Sequence, residues 1–216
     1  ISVRKFDKFS ALSPIQKNFY LKLGVKSEKI ITMGSYVPIT VNNIPLPQQY
    51  KIFIDTYKLN EEKIILMNGY GQQIYNYEHG IDFVNKYDGF LLVIVLYGST
   101  DDAYYKRLQK KIRPERTIIM SGFAQDEFLS LMSSTDIYLR ANSIDSFGIG
   151  VADAISMGKR VVATSVCDRF PGCDLYPLGD IDRMTEILLL NKSGSNIYSK
   201  DEVLMRLEKE YAGLYE

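Results

Sequence analysis

The sequence predicts an α/β fold in which a doubly wound parallel sheet is covered by helices on both faces. Short apolar runs bounded by glycine or polar residues alternate with segments of helical periodicity. Such alternation is typical of βαβ units, whose crossovers are right-handed and whose strands are buried on both faces. No repeat or internal boundary divides the 216 residues, which are enough for one well-cored domain over 1–216.

The first predicted helix spans 13–24. Ser13 and Gln16 form a capping box, Pro14 suits the first turn, and Gly24 ends the helix. Apolar residues fall on one of its faces: Ile15, Phe19 and Leu23. A strand over 29–37 and a proline-rich loop over 38–47 follow.

From residue 48 onward, helices and strands alternate. The predicted helices cover 48–59, 79–87, 101–112, 125–134, 148–158, 180–190 and 199–215. The predicted strands cover 63–69, 90–98, 117–122, 136–142 and 160–164. Asp180 is predicted to cap the helix over 180–190, and Ser199 with Glu202 forms a capping box for the last one.

Composition excludes several classes of protein. Lysine plus arginine equals aspartate plus glutamate at 26 each, so no basic excess indicates a nucleic-acid partner. The longest apolar run, 90–96, is too short to cross a bilayer. With one histidine, a zinc site built with Cys167 and Cys173 would lack ligands, and we expect both cysteines to be reduced thiols in a cytoplasmic protein. The chain starts at Ile1, so we expect it to be a piece of something longer.

The carboxyl ends of the predicted strands hold most of the glycines and polar residues. In a doubly wound sheet, ligands bind beyond these ends. Here they are the segments 68–71, 97–100, 121–124, 140–148 and 164–172.

One stretch at this edge, 145–164, combines two acids with glycines at the start of a helix. The first turn of a helix leaves amide groups free and attracts phosphate, and Gly148 and Gly150 allow a ligand close approach. Asp145 lies at the mouth of the cleft, and Asp153 lies within reach of a ribose diol. The alternative is structural: Asp145 caps the helix, Asp153 is solvated, and the glycines pack closely.

The same stretch resembles the E-x7-E region of retaining GT-B glycosyltransferases of family four, with Asp145 and Asp153 in the places of the two motif acids. The resemblance extends over nearly the whole chain, through 11–25, 118–142 and the final 208–216. It implies a Rossmann-like, C-terminal donor-binding domain, one half of a GT-B fold. The N-terminal acceptor domain is absent from this chain.

The resemblance also implies roles for residues. Asp145, the first of the two motif acids and the catalytic residue, contacts hydroxyls of the transferred sugar. Phe147, Gly148, Ile149 and Gly150 offer backbone groups to sugar and phosphate. Asp153 holds the ribose, and Gly122 with Phe123 lies near the base. The substrate is a nucleotide-diphosphate sugar, and no metal or other cofactor is required.

The chain departs from the family where cations normally neutralise the diphosphate. Tyr70 takes the place of an arginine, and His79, before Gly80, takes the place of a lysine. An imidazole of pKa about 6.5 is mostly neutral at pH 7. We expect Arg140 and Arg169 to be solvated surface residues, with compensation for the lost cations as the alternative. Both motif acids are aspartates, each one methylene shorter than glutamate.

The expected function is transfer of a sugar, with retention, from the donor to a polysaccharide or glycolipid acceptor that the missing domain binds. The first rival is a non-catalytic binding or scaffolding subunit with a degraded diphosphate site. The second is an NAD-dependent oxidoreductase, whose glycine fingerprint has no convincing copy here. We interpret the basic stretch 106–116 as solvated helix lysines, and association with the cytoplasmic membrane face is the alternative.

Overall fold

The computed structural model describes residues 6–11, 14–32, 36, 39, 44–58, 61–194, 204–205, 208–209 and 212. The strands are β1 (Phe9–Ala11), β2 (Ile30–Thr32), β3 (Lys63–Gly71), β4 (Phe90–Thr100), β5 (Thr117–Ser121), β6 (Ile137–Arg140), β7 (Arg160–Thr164) and β8 (Asp174–Tyr176). The helices are α1 (Pro14–Lys22), α2 (Gln48–Tyr57), α3 (Tyr77–Lys86), α4 (Asp102–Lys111), α5 (Gln125–Ser133), α6 (Ile149–Ser156) and α7 (Ile181–Leu189). Short 3₁₀ turns cover Ser27–Lys29 and Gln73–Tyr75.

Six strands form one parallel sheet in the order β5-β4-β3-β6-β7-β8. The chain builds outward from β3 through β4 to β5, then returns to the middle and builds outward from β6. The strand order therefore reverses between β3 and β6. This is the topological switch point at which doubly wound sheets bind ligands. The α/β prediction is confirmed.

Consecutive side chains of a strand point to opposite faces of the sheet, and each face packs against helices. The apolar strands are therefore buried on both faces. On β3, Ile65 and Met67 face a core closed by α3, α4 and α7. Ile64 and Leu66 face a second core closed by α2, α5 and α6. The run 90–96 on β4 divides between these cores in the same way.

The predicted elements of the sheet domain are all present, with ends that differ by a few residues. Asp180 caps α7, where its Oδ1 accepts the Arg183 amide at 2.9 Å. The strand β8 was not expected, since three residues carry no readable periodicity, and it pairs with β7 at the sheet edge. Ser13 and the capping box of the final helix lie outside the described residues, although 204–205, 208–209 and 212 are helical.

The segment before the sheet forms a separate two-stranded parallel sheet, β1-β2, against α1. The strand predicted over 29–37 is described only as β2. The apolar face of α1 is not buried, because Ile15 and Phe19 are more than half exposed. Both residues line an apolar cleft of about 470 Å³ together with Phe147 and Val166.

Three basic residues of the stretch 106–116 contact neighbouring side chains. Lys111 pairs with Asp82 at 2.7 Å, Arg116 pairs with Asp88, and Arg107 donates to Gln73 at 2.6 Å. These contacts agree with the interpretation of this stretch as an ordinary solvated surface. In the part of the chain that the structure describes, no helix has the length and apolar character needed to cross a membrane.

Candidate functional site

Two adjoining cavities open at the switch point, beyond the carboxyl ends of the central strands. The larger, of about 780 Å³, lies over β4 and β5. The smaller, of about 360 Å³, lies over β6 and the start of α6. Asn68 at the end of β3 and Tyr97 near the end of β4 line both cavities, which therefore adjoin, and we refer to the pair as the cleft.

The larger cavity includes the predicted base-binding residues Gly122 and Phe123. Gly122 has a φ of +83°, and no heavy atom lies within 4 Å of where a Cβ would stand. The turn after β5 thus adopts a left-handed conformation that favours glycine and leaves the backbone open to the cleft. This cavity has room for a flat ring beside the main chain.

The smaller cavity is lined by the predicted residues Asp145, Phe147, Gly148, Ile149 and Gly150. The helix α6 begins here without a side-chain cap. Within the described part of the chain, the amides of Ile149 and Gly150 make no hydrogen bond. Free amides at a helix N-terminus carry a partial positive charge, so this end of the cavity favours an anion.

Both glycines of this turn lie against buried polar side chains. Gly148 has a φ of +76°, and a Cβ there would lie 3.0 Å from the guanidinium of Arg169. A Cβ on Gly150 would lie 2.7 Å from the hydroxyl of Tyr138, a fully buried side chain that hydrogen-bonds Asn68 at 2.5 Å. Close packing at Gly150 agrees with the structural alternative, whereas at Gly148 the positive φ by itself favours glycine.

Asp145 lies between two arginines. Arg140 donates from Nε to Asp145 Oδ2 at 2.9 Å, and Arg169 donates to the same oxygen at 2.5 Å. The exposed fractions of these side chains are 11% for Arg140, 8% for Asp145 and 1% for Arg169. The expectation that both arginines are solvated surface residues is wrong, because the fold brings the end of β6 and the loop after β7 onto the same carboxylate.

The arginines determine the ionisation of Asp145. Burial alone raises the pKa of its carboxyl, but the hydrogen bonds and charges of Arg140 and Arg169 outweigh burial and lower the pKa to about 2. Asp145 is therefore a carboxylate throughout the physiological range. It has no proton to supply as a general acid.

Asp153 lies on α6, outside the lining of both cavities. It is buried, and among the described residues its Oδ1 has no hydrogen-bond partner. Burial raises the pKa of its carboxyl. The buried ring of Tyr36 lies close by, with its hydroxyl 2.9 Å from the hydroxyl of Ser156. The ribose contact of Asp153 stays a prediction.

Tyr70 and His79 also lie outside the lining of the two cavities. The ring of Tyr70 packs over Gly98 and against Tyr97, with ring centroids 5.0 Å apart. His79 is half-buried on α3, and burial lowers the pKa of its imidazole, which is therefore neutral at pH 7. Neither residue supplies a positive charge to the cleft.

Sequence reasoning missed Tyr138 and assigned Arg140 the wrong environment. Tyr138 reads as one more apolar residue of β6, and only its hydroxyl contact with Asn68 shows its part in shaping the cleft. Arg140 is the last residue of a buried strand, a position that itself indicates the ligand-binding edge. Its guanidinium lies over the ring of Tyr75, 5.5 Å from the centroid.

Among the described residues, no group of three or more His, Cys, Asp or Glu side chains could hold a metal ion. Cys167 and Cys173 are both free thiols. That the reaction needs no metal stays a prediction.

Comparison with known proteins identifies the fold through structure alone. No protein-family model matches the sequence, and no curated protein is significantly similar to it. Among solved structures, TarM from S. aureus in complex with UDP has a TM-score of 0.65 at 14% identity, over 96% of this chain and 44% of TarM. HepE from Anabaena in complex with UDP has a TM-score of 0.66 at 16% identity, over 86% of this chain and 54% of HepE.

The lipopolysaccharide outer core galactosyltransferase WaaB has a TM-score of 0.56 at 17% identity, over 94% of this chain and 57% of WaaB. This chain thus spans about half the length of the three proteins. The shared part includes the parallel sheet and the switch point described above. The chain therefore has the Rossmann-like α/β fold found in these GT-B glycosyltransferases.

Proposed function

We propose that this chain is the donor-binding half of a retaining glycosyltransferase and binds a nucleotide-diphosphate sugar in the switch-point cleft. The observation that carries the proposal is the uncapped N-terminus of α6, whose free amides open into a cavity next to Arg140. Helix amides and a guanidinium together suit the oxygens of a diphosphate. The adjoining larger cavity has room for the base and ribose.

The neighbouring structures support a nucleotide sugar as the ligand. HepE has been solved with UDP and with UDP-glucose, at TM-scores of 0.66 and 0.63 to this chain. The proposed acceptor is a polysaccharide or glycolipid bound by a second domain, and the proposed location is the cytoplasm. Retention of configuration is part of the proposal and follows from the motif resemblance at Asp145 and Asp153.

A second candidate function is nucleotide-sugar binding without turnover, in a scaffolding subunit. Two observations favour it. His79 is neutral and Tyr70 is uncharged, so both positions that resemble the family's cations lack charge. Asp153 is buried near Tyr36 rather than open to the cleft. A ribose contact from Asp153 therefore requires that the surroundings of Tyr36 rearrange when the ligand binds.

The experiment is a thermal-shift panel of this chain with UDP-, GDP-, ADP- and CMP-sugars and with NAD. A ligand at a hundred times its Kd adds about 2.7 kcal/mol of stability, which raises Tm by a few degrees for a domain of this size. A shift with one nucleotide sugar supports the proposal and identifies the base. A shift with NAD alone contradicts it and favours an oxidoreductase.

Asp153→Asn tests the ribose contact with the nucleotide that the panel selects. If Asp153 binds the diol, the variant loses the preference of the wild type for the ribonucleotide over its 2′,3′-dideoxy form. An unchanged preference contradicts the contact. Turnover of the selected donor by the full-length protein, measured as release of free nucleotide with acceptor present, separates the enzyme from the scaffolding subunit.

A further inference from the structure

Three side chains form an ionic cluster at the mouth of the smaller cavity: Arg140, Asp145 and Arg169. Arg140 ends β6, Asp145 lies in the loop before α6, and Arg169 lies in the loop after β7. Arg140 reaches Asp145 with Nε at 2.9 Å and with a terminal nitrogen at 3.2 Å. Arg169 donates to Asp145 at 2.5 Å, and its Nε donates to the carbonyl of Thr164 at 3.0 Å.

The carboxylate of Asp145 is fully occupied by this cluster. Its Oδ2 accepts from both arginines, and its Oδ1 accepts from Arg140 and from the amide of Ser146 at 3.0 Å. An ionised carboxylate has about four acceptor sites, and all of them are used. Asp145 therefore has no acceptor left for the hydroxyls of a sugar, unless an arginine moves away.

The cluster carries a net charge of +1, because two guanidinium groups share one carboxylate. Among the described residues, neither arginine pairs with another acid. A buried charge without a partner is costly, so this excess favours an anion from outside the chain. The charge meets the cavity through Arg140, which lines it, whereas Arg169 is almost completely covered.

Arg140 also retains the capacity to bind an anion. Of the five N–H groups of a guanidinium, two point to Asp145 and one to the carbonyl of Asn68 at 3.3 Å, and the side-chain oxygen of Asn142, with its amide oriented to accept, lies 3.0 Å from a terminal nitrogen of Arg140. At most one remains for a ligand, so Arg140 attracts an anion mainly through its charge. Arg140 lines the same cavity as Ile149 and Gly150, whose free amides attract the same kind of group.

We propose that Arg140 binds the diphosphate of the donor and that Asp145 is a positioning residue, which holds Arg140 in place together with Arg169. The cluster would supply the positive charge that Tyr70 and His79 do not. This inference rests on the proposed function. It assigns Asp145 a role different from the sugar contact that the motif resemblance implies.

The test of Arg140 uses isothermal titration of the chain with UDP, UMP and inorganic pyrophosphate. In the wild type we expect UDP to bind at least tenfold more tightly than UMP, and pyrophosphate to compete with UDP. Arg140→Gln removes the charge and should weaken UDP and pyrophosphate by about tenfold or more, because a hydrogen bond to a charged group is lost. The affinity for UMP should fall much less. Arg183→Gln, at an exposed position of α7, is the matched control and should bind like the wild type.

Arg140→Lys keeps a positive charge and should recover part of the difference between UDP and UMP, which a merely structural role of Arg140 would not predict. If circular dichroism shows that Arg140→Gln does not fold, Arg140→Lys takes its place in the binding comparison. Equal binding of UDP and pyrophosphate by Arg140→Gln and wild type would overturn the inference and leave the proposed function standing. Absence of binding of UDP and pyrophosphate to the wild type would overturn both.

The test of Asp145 compares UDP with UDP-glucose. As a positioning residue, Asp145 acts on the diphosphate that both ligands share, so Asp145→Asn should change both affinities by the same factor, and Asp145→Glu should restore them in part. A loss confined to UDP-glucose would show that Asp145 contacts the sugar and would overturn the positioning role.

Discussion

At the scale of the residue, the position of Asp145 shows how neighbours determine the chemistry of an acid. The same carboxyl in an apolar pocket would have a raised pKa and serve as a proton donor. Between Arg140 and Arg169 its pKa is about 2 instead. The ionised carboxylate holds two cations in place, which contributes to folding as well as to the proposed ligand site.

The first prediction concerns the pH dependence of this contribution. The folded-state pKa of about 2 lies below the ordinary value of 3.8, so the carboxylate stabilises the fold above pH 4 and loses this effect as pH falls towards 2. The difference corresponds to about 2 kcal/mol at pH 7. Urea unfolding of wild type and Asp145→Asn should show this gap at pH 7 and a smaller one at pH 3.

The control is Glu186→Gln, which removes an exposed carboxylate paired with Arg183 on α7. Its stability should stay within about 0.5 kcal/mol of the wild type. A gap between wild type and Asp145→Asn that is the same at pH 3 as at pH 7 would contradict the low pKa of Asp145.

The second prediction concerns Gly150, where local propensity and tertiary packing disagree. Alanine in a helix is favoured over glycine by about 1 kcal/mol. However, a Cβ at this position would lie 2.7 Å from the hydroxyl of buried Tyr138. We therefore expect Gly150→Ala to lower the free energy of unfolding by about 1–3 kcal/mol, measured by urea unfolding.

Tyr138→Phe provides the matched test of this cause, since it removes the oxygen that the new methyl group would meet. In the double variant, Gly150→Ala should cost less than it does alone, as a double-mutant cycle would measure. Simple additivity of the two changes would mean that the hydroxyl of Tyr138 is not the obstacle.

At the scale of the element, Arg160 connects the outer strands β7 and β8 to the helix α7. It begins β7, is 3% exposed, and pairs with Asp174 of β8 at 3.0 Å. It also donates to the carbonyl of Leu190 at 2.8 Å and to that of Ile187. These carbonyls belong to the end of α7, where free acceptors and the helix dipole favour a cation.

The third prediction follows from the shape of this contact. A lysine at position 160 keeps the charge but cannot reach three acceptors in fixed directions, since it lacks the planar guanidinium. We expect Arg160→Lys to lower the free energy of unfolding by about 2–4 kcal/mol. Arg183→Lys, at an exposed position of α7, should change it by no more than about 0.5 kcal/mol. Similar losses of stability in the two variants would show that the buried hydrogen bonds of the Arg160 guanidinium do not stabilise the fold.

At the scale of the whole molecule, the reversal of strand order concentrates binding groups at one edge of the sheet. The fourth prediction is that UDP slows amide hydrogen exchange in the segments 68–71, 97–100, 121–124 and 140–150. Each of these segments contributes residues to the lining of the two cavities, and exchange reports local protection. The opposite edge, around 61–63 and 114–117, serves as the internal control. Protection confined to that edge would contradict the location of the site.

The candidate site was predictable where it depends on the ends of strands. Gly122, Phe123, Asp145 and 147–150 line the cleft, and each follows a run that the sequence marks as a buried strand. Tyr70, His79 and Asp153 were selected because they resemble motif positions, and none of them lines the cleft. A motif position fixes the place of a residue along the chain but not the direction in which its side chain points.

The sequence by itself determined the α/β class, nearly every helix and strand of the sheet domain, and the edge of the sheet at which the two cavities open. These properties depend on the spacing of apolar residues and on glycines and caps, which are local. Only the tertiary structure decided that Arg140 and Arg169 are buried against Asp145, and that Gly150 packs against Tyr138. The contact of Arg169 with Asp145 depends on which strands become neighbours in the sheet, because pairing of β6 with β7 brings together the segments that follow them. The contacts of Arg140 with Asp145 and of Gly150 with Tyr138 join residues closer in the chain, and they depend on how the loop before α6 and α6 itself pack against β6.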